Sequence, residues 1–158
     1  MHRTKNDLAA ENREKLIELL NARLADAIDL KSQAKQAHWN VKGIHFFQLH
    51  ELFDQVATAA EGYTDLIAER ATALGGTALG TIRIASQRSS LGEYPFEITD
   101  GESHVDALST ALADFGKLIR RDIDNATKLD DADTADLFTE ISRGVDKLLW
   151  FVEAHIQN

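Results

Sequence analysis

An all-α fold, a four-helix bundle with one long crossover, is what this 158-residue sequence predicts, on three observations. Apolar residues recur at three- and four-residue steps through four long stretches, the pattern of helices that bury one face. Proline occurs once, at Pro95, and the helix interiors are free of it. Most of the nine glycines fall between the stretches, where they end helices. The first helix covers about residues 8 to 38, with the stripe Leu16, Leu20, Leu24, Ala27, Ile28 and Ala34. Asn40-Val41-Lys42-Gly43 breaks it. A second long helix carries Phe46, Leu49, Phe53, Val56, Ala60, Tyr63, Ile67 and Leu74 and stops at Gly75-Gly76. Residues 75 to about 101 hold four further glycine or proline positions, Gly80, Gly92, Pro95 and Gly101, so they form a long connection, with a short helix near Ile82 to Ser89. Val105, Leu108, Leu112, Phe115, Ile119, Ile123 and Ala126 mark the third long helix, with Ser103 and Asp106 placed as a capping-box variant. The fourth carries Phe138, Ile141, Val145, Leu148, Val152 and Ile156, preceded by Asp133-Thr134 as cap candidates.

The length suits one domain over 1–158, with residues 1–7 as a short flexible tail. Hydrophobic residues make up 44% and charged ones 27%, which excludes a disordered chain. No apolar run approaches the roughly 20 residues that a bilayer demands, and the start lacks the apolar stretch of a signal peptide. The expected location is the cytoplasm, with no membrane partner. Zero cysteines exclude disulfides, thiolate nucleophiles and Cys-based metal sites. Any metal is therefore held by His and carboxylates. The net charge of −9 repels phosphate, and only Arg3 and Lys5 offer a basic patch at the N-terminus.

Four long helices with one long crossover describe a bundle of the ferritin-like kind, whose di-iron members hold metal with Glu-x-x-His pairs inside one subunit. This chain has no Glu-x-x-His. It has His38 at the end of the first helix and two i,i+4 pairs on the second, His50/Asp54 and Asp65/Glu69. At 100° per residue Asp54 and Asp65 differ by roughly 20°, so both pairs project from one side, away from the apolar stripe. Along the axis, however, the two aspartates are roughly 16 Å apart, too far to share an ion. Suppose two copies of this helix pack antiparallel about a twofold axis. Residues that lie opposite then have a constant sum, and His50 with Glu69 gives the same sum as Asp54 with Asp65. One register thus completes both pairs, twice per dimer. The midpoint falls between Ala59 and Ala60, with Ala57 opposite Gly62, small residues that permit close approach. His38 reaches the same place. Two imidazoles and three carboxylates suit iron, with zinc or manganese as competitors.

The whole chain resembles the Dps family of mini-ferritins. The resemblance is carried by His38-Trp39-Asn40-Val41-Lys42-Gly43, Leu49-His50-Glu51-Leu52-Phe53-Asp54, and Asp65-Leu66-Ile67-Ala68-Glu69-Arg70 with Leu74-Gly75-Gly76. Asp133-Thr134-Ala135-Asp136 and Asp146-Lys147-Leu148-Leu149-Trp150-Phe151 extend it. It implies a hollow dodecamer whose twofold interfaces hold ferroxidase sites, with His38, His50 and Asp54 from one subunit and Asp65 and Glu69 from the other. There Fe(II) is oxidised, preferably by hydrogen peroxide, and ferric oxide is stored within. Trp39 then either takes a stray oxidising equivalent or simply packs. The acids Asp130, Asp131, Asp133 and Asp136 either favour a helix dipole or, as the resemblance implies, line a threefold pore that draws in Fe(II). Glu51 is either a mineral-seeding group or a solvated side chain. Gln55 stands where many relatives have an acid. His2, His45, His104 and His155 have no partner at ligand spacing. The rival function is a nucleoid-condensing protein with an incidental metal site, but Arg3 and Lys5 alone predict weak or absent DNA binding, even multiplied by avidity.

Overall fold

The computed structural model describes residues 1–157, and its five helices are α1 (Ala10–Asn40), α2 (Phe46–Ala73), α3 (Ile82–Arg88), α4 (Gly101–Lys128) and α5 (Ala132–Glu153). The pairs α1/α2 and α4/α5 pack as two hairpins, joined through α1 against α4 and α2 against α5. Their seam is the core, built on Leu16, Leu20, Leu24, Phe53, Ile67, Leu108, Leu112, Phe115, Ile119, Phe138 and Ile141, all essentially inaccessible. This is the predicted four-helix bundle, crossover helix included.

The crossover is where simple periodicity is least informative. Helix α1 touches α2, α3 and α4, so it is buried on more than one face. Its second face is polar, because the backbone laid over it needs partners. Asn21 bonds Thr77 O (3.0 Å) and Leu79 N (2.8 Å), Gln33 donates to Gly92 O (2.9 Å), and Asp26 accepts from Ser90 N (2.6 Å). Arg23, also buried, lies 3.2 Å from Asp26 and 3.5 Å from Asp122 of α4. An apolar stripe count passes over all of these.

The helix ends differ in detail from the expected caps. Asp100 caps α4, accepting from Ser103 N (2.9 Å) and Ser103 Oγ (2.7 Å), in place of Ser103 with Asp106. Asp131 caps α5, accepting from Thr134 N at 3.1 Å, in place of Asp133-Thr134. In both cases the cap lies upstream of the first apolar contact, since a helix starts where its N–H groups find an acceptor. Gly75 ends α2 at φ +89°. At Gly76 a Cβ would come within 2.6 Å of the Ile17 side chain, so the α2 end can approach α1 only without one. At the N-terminus, His2 N donates to Gly75 O at 2.7 Å, at this end of α2.

Where α1 turns into α2, Lys42 N donates to Thr99 O at 2.9 Å and fastens the turn to the start of α4. Behind it lies His104, 1% exposed, whose pKa is pushed down by burial against the smaller opposing pull of Asp100. A base with a depressed folded-state pKa binds its proton at higher pH when unfolded. Its contribution to stability is thus present above the ordinary histidine value and lost as pH falls below about 6.5. The melting temperature is expected to drop between about pH 7 and pH 5, and His104→Gln should flatten that drop. An unchanged slope in the variant would mean that other groups set it.

Candidate metal centre

The last turn of α1 and the first turns of α2 face each other across a short bend, which brings His38 and His50 together. Their rings stack at a centroid distance of 3.7 Å and an interplanar angle of 20°. His38 Nδ1 lies 2.7 Å from His50 O, and His50 Nδ1 lies 2.8 Å from His38 O. A carbonyl oxygen only accepts, so both Nδ1 atoms carry hydrogen, and in the neutral rings both Nε2 atoms keep a lone pair. Each imidazole is thereby fixed by the other's backbone in the tautomer that ligates through Nε2.

Asp54, one turn beyond His50, feels the positive potential of both imidazoles, but its direct partner is Lys35. Lys35 Nζ sits 2.6 Å from Asp54 Oδ1. The Lys35 hydrogen bond holds the Asp54 carboxyl below its ordinary range against the opposing effect of desolvation, with smaller help from the Lys35, His38 and His50 charges. The same ammonium stands 5.6 Å over the Trp39 ring. Lys35 escaped the sequence reading. Its spacing from His38 and Trp39, i to i+3 and i to i+4, was the available signal.

Asp65 and Glu69 are exposed on the same outward side of α2, about three to four turns beyond Asp54. Among the described residues no three His, Asp or Glu side chains of one chain converge as a metal cage. The donors are divided into a cluster at one end of α2 and a carboxylate pair at the other. Between them the expected contact residues need correction: Ala57 and Ala60 point into the protomer's own core, while Thr58 and Gly62 face outward. Gly62 has open space where a Cβ would stand, so nothing in the protomer requires glycine in mid-helix, where it costs about 1 kcal/mol. Trp39 (67% exposed), Ile44, Phe47 and Leu66 also stand out into solvent around this face. Glu51 and Gln55 are exposed beside it.

The four acids of the α4–α5 turn do different things. Asp131 is buried and bonded by Arg70, whose Nη2 is 2.8 Å and 2.9 Å from its two oxygens. That carboxylate is committed to the cap and the ion pair. Asp130 has φ 59°, the left-handed conformation that Asp tolerates better than most residues. With Asp136 it borders an open depression of about 450 Å³, and Asp133 projects into solvent near Arg70. Of the remaining histidines, His2, His45 and His155 are exposed, His155 donating Nδ1–H to Phe151 O at 2.9 Å.

Residues 17–158 match the model of the ferritin-like domain. Over 156 residues, 99% of this chain and 96% of the relative, the sequence is 45% identical to the DNA protection during starvation protein of Agrobacterium fabrum. The protein of that name from Brevibacillus brevis is 35% identical over 88% of this chain and 93% of its own. Among solved structures, Mycobacterium smegmatis Dps in its tetragonal form superposes with a TM-score of 0.94 at 28% identity, covering 100% of this chain and 95% of that one. Dps from Microbacterium arborescens, in the form described as high iron, superposes with 0.86 at 29% identity over 97% of both chains.

Proposed function

Because this chain belongs to the Dps family of ferritin-like proteins, and with it to iron handling of that kind, we propose that it is a peroxide-consuming ferroxidase and iron store. The reading is supported by one observation above all. His38 and His50 hold both Nε2 lone pairs ready at one end of α2 beside Asp54, while Asp65 and Glu69 stand free on the same face at the other. A second copy laid antiparallel supplies in one register what each half lacks. The outward Gly62 and the exposed Leu66, Phe47 and Ile44 suit that contact. Homo-oligomeric assembly accords with the family, and we take the dodecamer of twofold dimers as the form it adopts.

At such a paired site two ferrous ions are substrates together. Two Fe(II), one hydrogen peroxide and two waters yield two ferric oxyhydroxide units and four protons, so peroxide takes two electrons and no hydroxyl radical is released. The imidazoles and carboxylates bind and orient; zinc or manganese would compete for the same donors. Asp130 and Asp136, with Asp133 nearby, would draw cations toward the shell interior, whereas Asp131 would not. Protection of the cell from peroxide follows from removing both reactants. Anaerobic loading with Fe(II), then peroxide, should give rapid ferric absorbance in a soluble product. A rate no faster than in buffer would overturn the reading.

Lys35 occupies Asp54 and must be displaced by a cation. Lys35→Gln should therefore raise the affinity for a redox-inert probe such as Co(II) by roughly two- to fivefold, the range of an exposed ion pair, read by titration of the cobalt absorbance. Weaker binding in the variant would instead make Lys35 a supporting group.

DNA condensation is the second reading, favoured by the name carried by the relatives from Agrobacterium fabrum and Brevibacillus brevis. Against it stand the net charge of −9 and an N-terminal segment whose basic side chains are Arg3 and Lys5 alone. Free DNA in a low-salt gel-shift experiment is the expected result.

A further inference from the structure

Few side chains in this protein give up an electron easily. It has no Cys, one Met at its start, two Trp and two Tyr. Both tryptophans are largely exposed. The two tyrosines differ in a way that matters for redox chemistry. Tyr63 presses its hydroxyl toward Gly144 and has no base hydrogen-bonded to it among the described residues. Tyr94, at the end of the crossover, is 6% exposed, and its hydroxyl lies 2.6 Å from Nδ1 of the buried His104.

The pair is oriented for proton transfer. Burial pushes the Tyr94 phenol up, well beyond its ordinary range, and pushes His104 down, so at neutral pH both are uncharged. A phenol O–H then donates to a neutral imidazole nitrogen, which places the ring hydrogen on Nε2. That atom is buried without a hydrogen-bond partner, and the Asn40 backbone is the polar group that favours it as a donor. The two rings are nearly parallel, 21° apart with centroids at 6.0 Å. Phe53, the neighbour of Asp54, lies 6.4 Å from His104. Asn40 is two residues past His38. The pair thus packs behind the α1–α2 corner that carries the candidate ligands, against Phe53 and the Asn40 backbone.

We propose that Tyr94 and His104 form a buried relay that consumes one-electron oxidants arising at the iron site, a role that rests on the function proposed above. When a single Fe(II) reduces peroxide, the products are Fe(III), hydroxide and a hydroxyl radical. Tyr94 gives that radical one electron, converting it to hydroxide, and passes its phenolic proton to His104 Nδ1. A neutral phenoxyl radical and an imidazolium remain. A further Fe(II) then returns the electron, and the proton moves back to Tyr94. The net change is hydroxyl radical plus Fe(II) to hydroxide plus Fe(III), with the protein restored. Without the imidazole, oxidation would leave a phenol radical cation, a far stronger acid than imidazolium, with no base to take its proton.

The test uses the assembled protein loaded anaerobically with Fe(II), mixed with peroxide and frozen for electron paramagnetic resonance. A phenoxyl radical is expected in the wild type and in Tyr63→Phe, and none in Tyr94→Phe, which should also release more spin-trapped hydroxyl radical. His104→Gln keeps the phenol but removes the base, and its radical yield should fall by roughly tenfold or more. A phenoxyl signal that survives Tyr94→Phe, or a wild type that oxidises iron rapidly with no phenoxyl signal, overturns the relay. A second experiment oxidises the iron-free protein with a flash-generated ruthenium(III) polypyridyl complex. A phenoxyl radical there that depends on Tyr94 and His104 supports the pair even if iron oxidation fails. Its absence overturns the relay whatever the iron chemistry does.

Discussion

Asp54→Ala and Glu69→Ala, each inactive alone, are expected to recover about a quarter of wild-type peroxide-driven iron oxidation when unfolded together and reassembled. The arithmetic follows from an isologous interface. Random pairing makes half of the dimers mixed. In a mixed dimer, one site takes His38, His50 and Asp54 from the Glu69→Ala chain and Asp65 and Glu69 from the Asp54→Ala chain, and is intact. The other site carries both losses. If one chain held a complete site, every site in the mixture would carry a defect and nothing would return. Singly, each variant should oxidise iron roughly 100-fold more slowly or worse, since losing even an outer support of a metal ligand costs 10- to 100-fold. Asp65→Ala should behave like Glu69→Ala and fail to complement it, because both belong to the same half. Initial rates of ferric absorbance in the mixed and unmixed preparations decide the matter.

Arg70→Ala should produce the largest loss of stability. The guanidinium next to Glu69 donates from Nε to Thr134 Oγ1 (2.9 Å) and from Nη2 to both oxygens of Asp131. Asp131 is 3% exposed and caps α5. Burial works to raise its pKa, but the hydrogen bonds from Thr134 and Arg70 together outweigh it and leave the carboxyl below its ordinary range. Its stabilising contribution is present at neutral pH and lost as the solution is acidified past that lowered value. Removing the arginine strands a buried charge, at about 3–5 kcal/mol, which for a chain of this length lowers the melting temperature by roughly 10 °C. Arg70→Met combined with Asp131→Asn should recover most of the loss, because Asn keeps the cap and no charge remains buried. Scanning calorimetry at fixed protein concentration separates these, and a loss under about 1 kcal/mol in Arg70→Ala would place the pair among weak solvated ones. Because Arg70 is bonded to α5, the same change should also loosen the turn that presents Glu69.

The bundle was legible because its signal is repetitive. Leu16, Leu20 and Leu24, or Leu108, Leu112, Phe115 and Ile119, state the helical period several times over, and each is inaccessible in the fold. The candidate ligands were legible for a related reason: His50/Asp54 and Asp65/Glu69 sit on one helix, where spacing alone fixes their common face. What failed were inferences that a single helix cannot carry. Ala57 and Ala60 looked available for a contact between copies, yet both are spent on the protomer's own core. Asp131 looked like its acidic neighbours, yet Arg70, far away in sequence, has taken it. The buried Arg23, Asp26 and Asn21 broke the apolar pattern of α1, because the crossover lies on that side and its backbone must be satisfied.

By itself, then, the sequence determined the helices, their order, the long crossover, and which donors share a face of α2, all of which depend on local period and on residue type. The tertiary structure decided the rest. It settled the tautomers of His38 and His50 through each other's carbonyls, the pairing of Asp54 with Lys35, the burial of Asp131 and the meeting of Tyr94 with His104. Hydrogen bonds and ion pairs between elements depend on distances of a few tenths of an ångström across the fold, and no period along one chain encodes those.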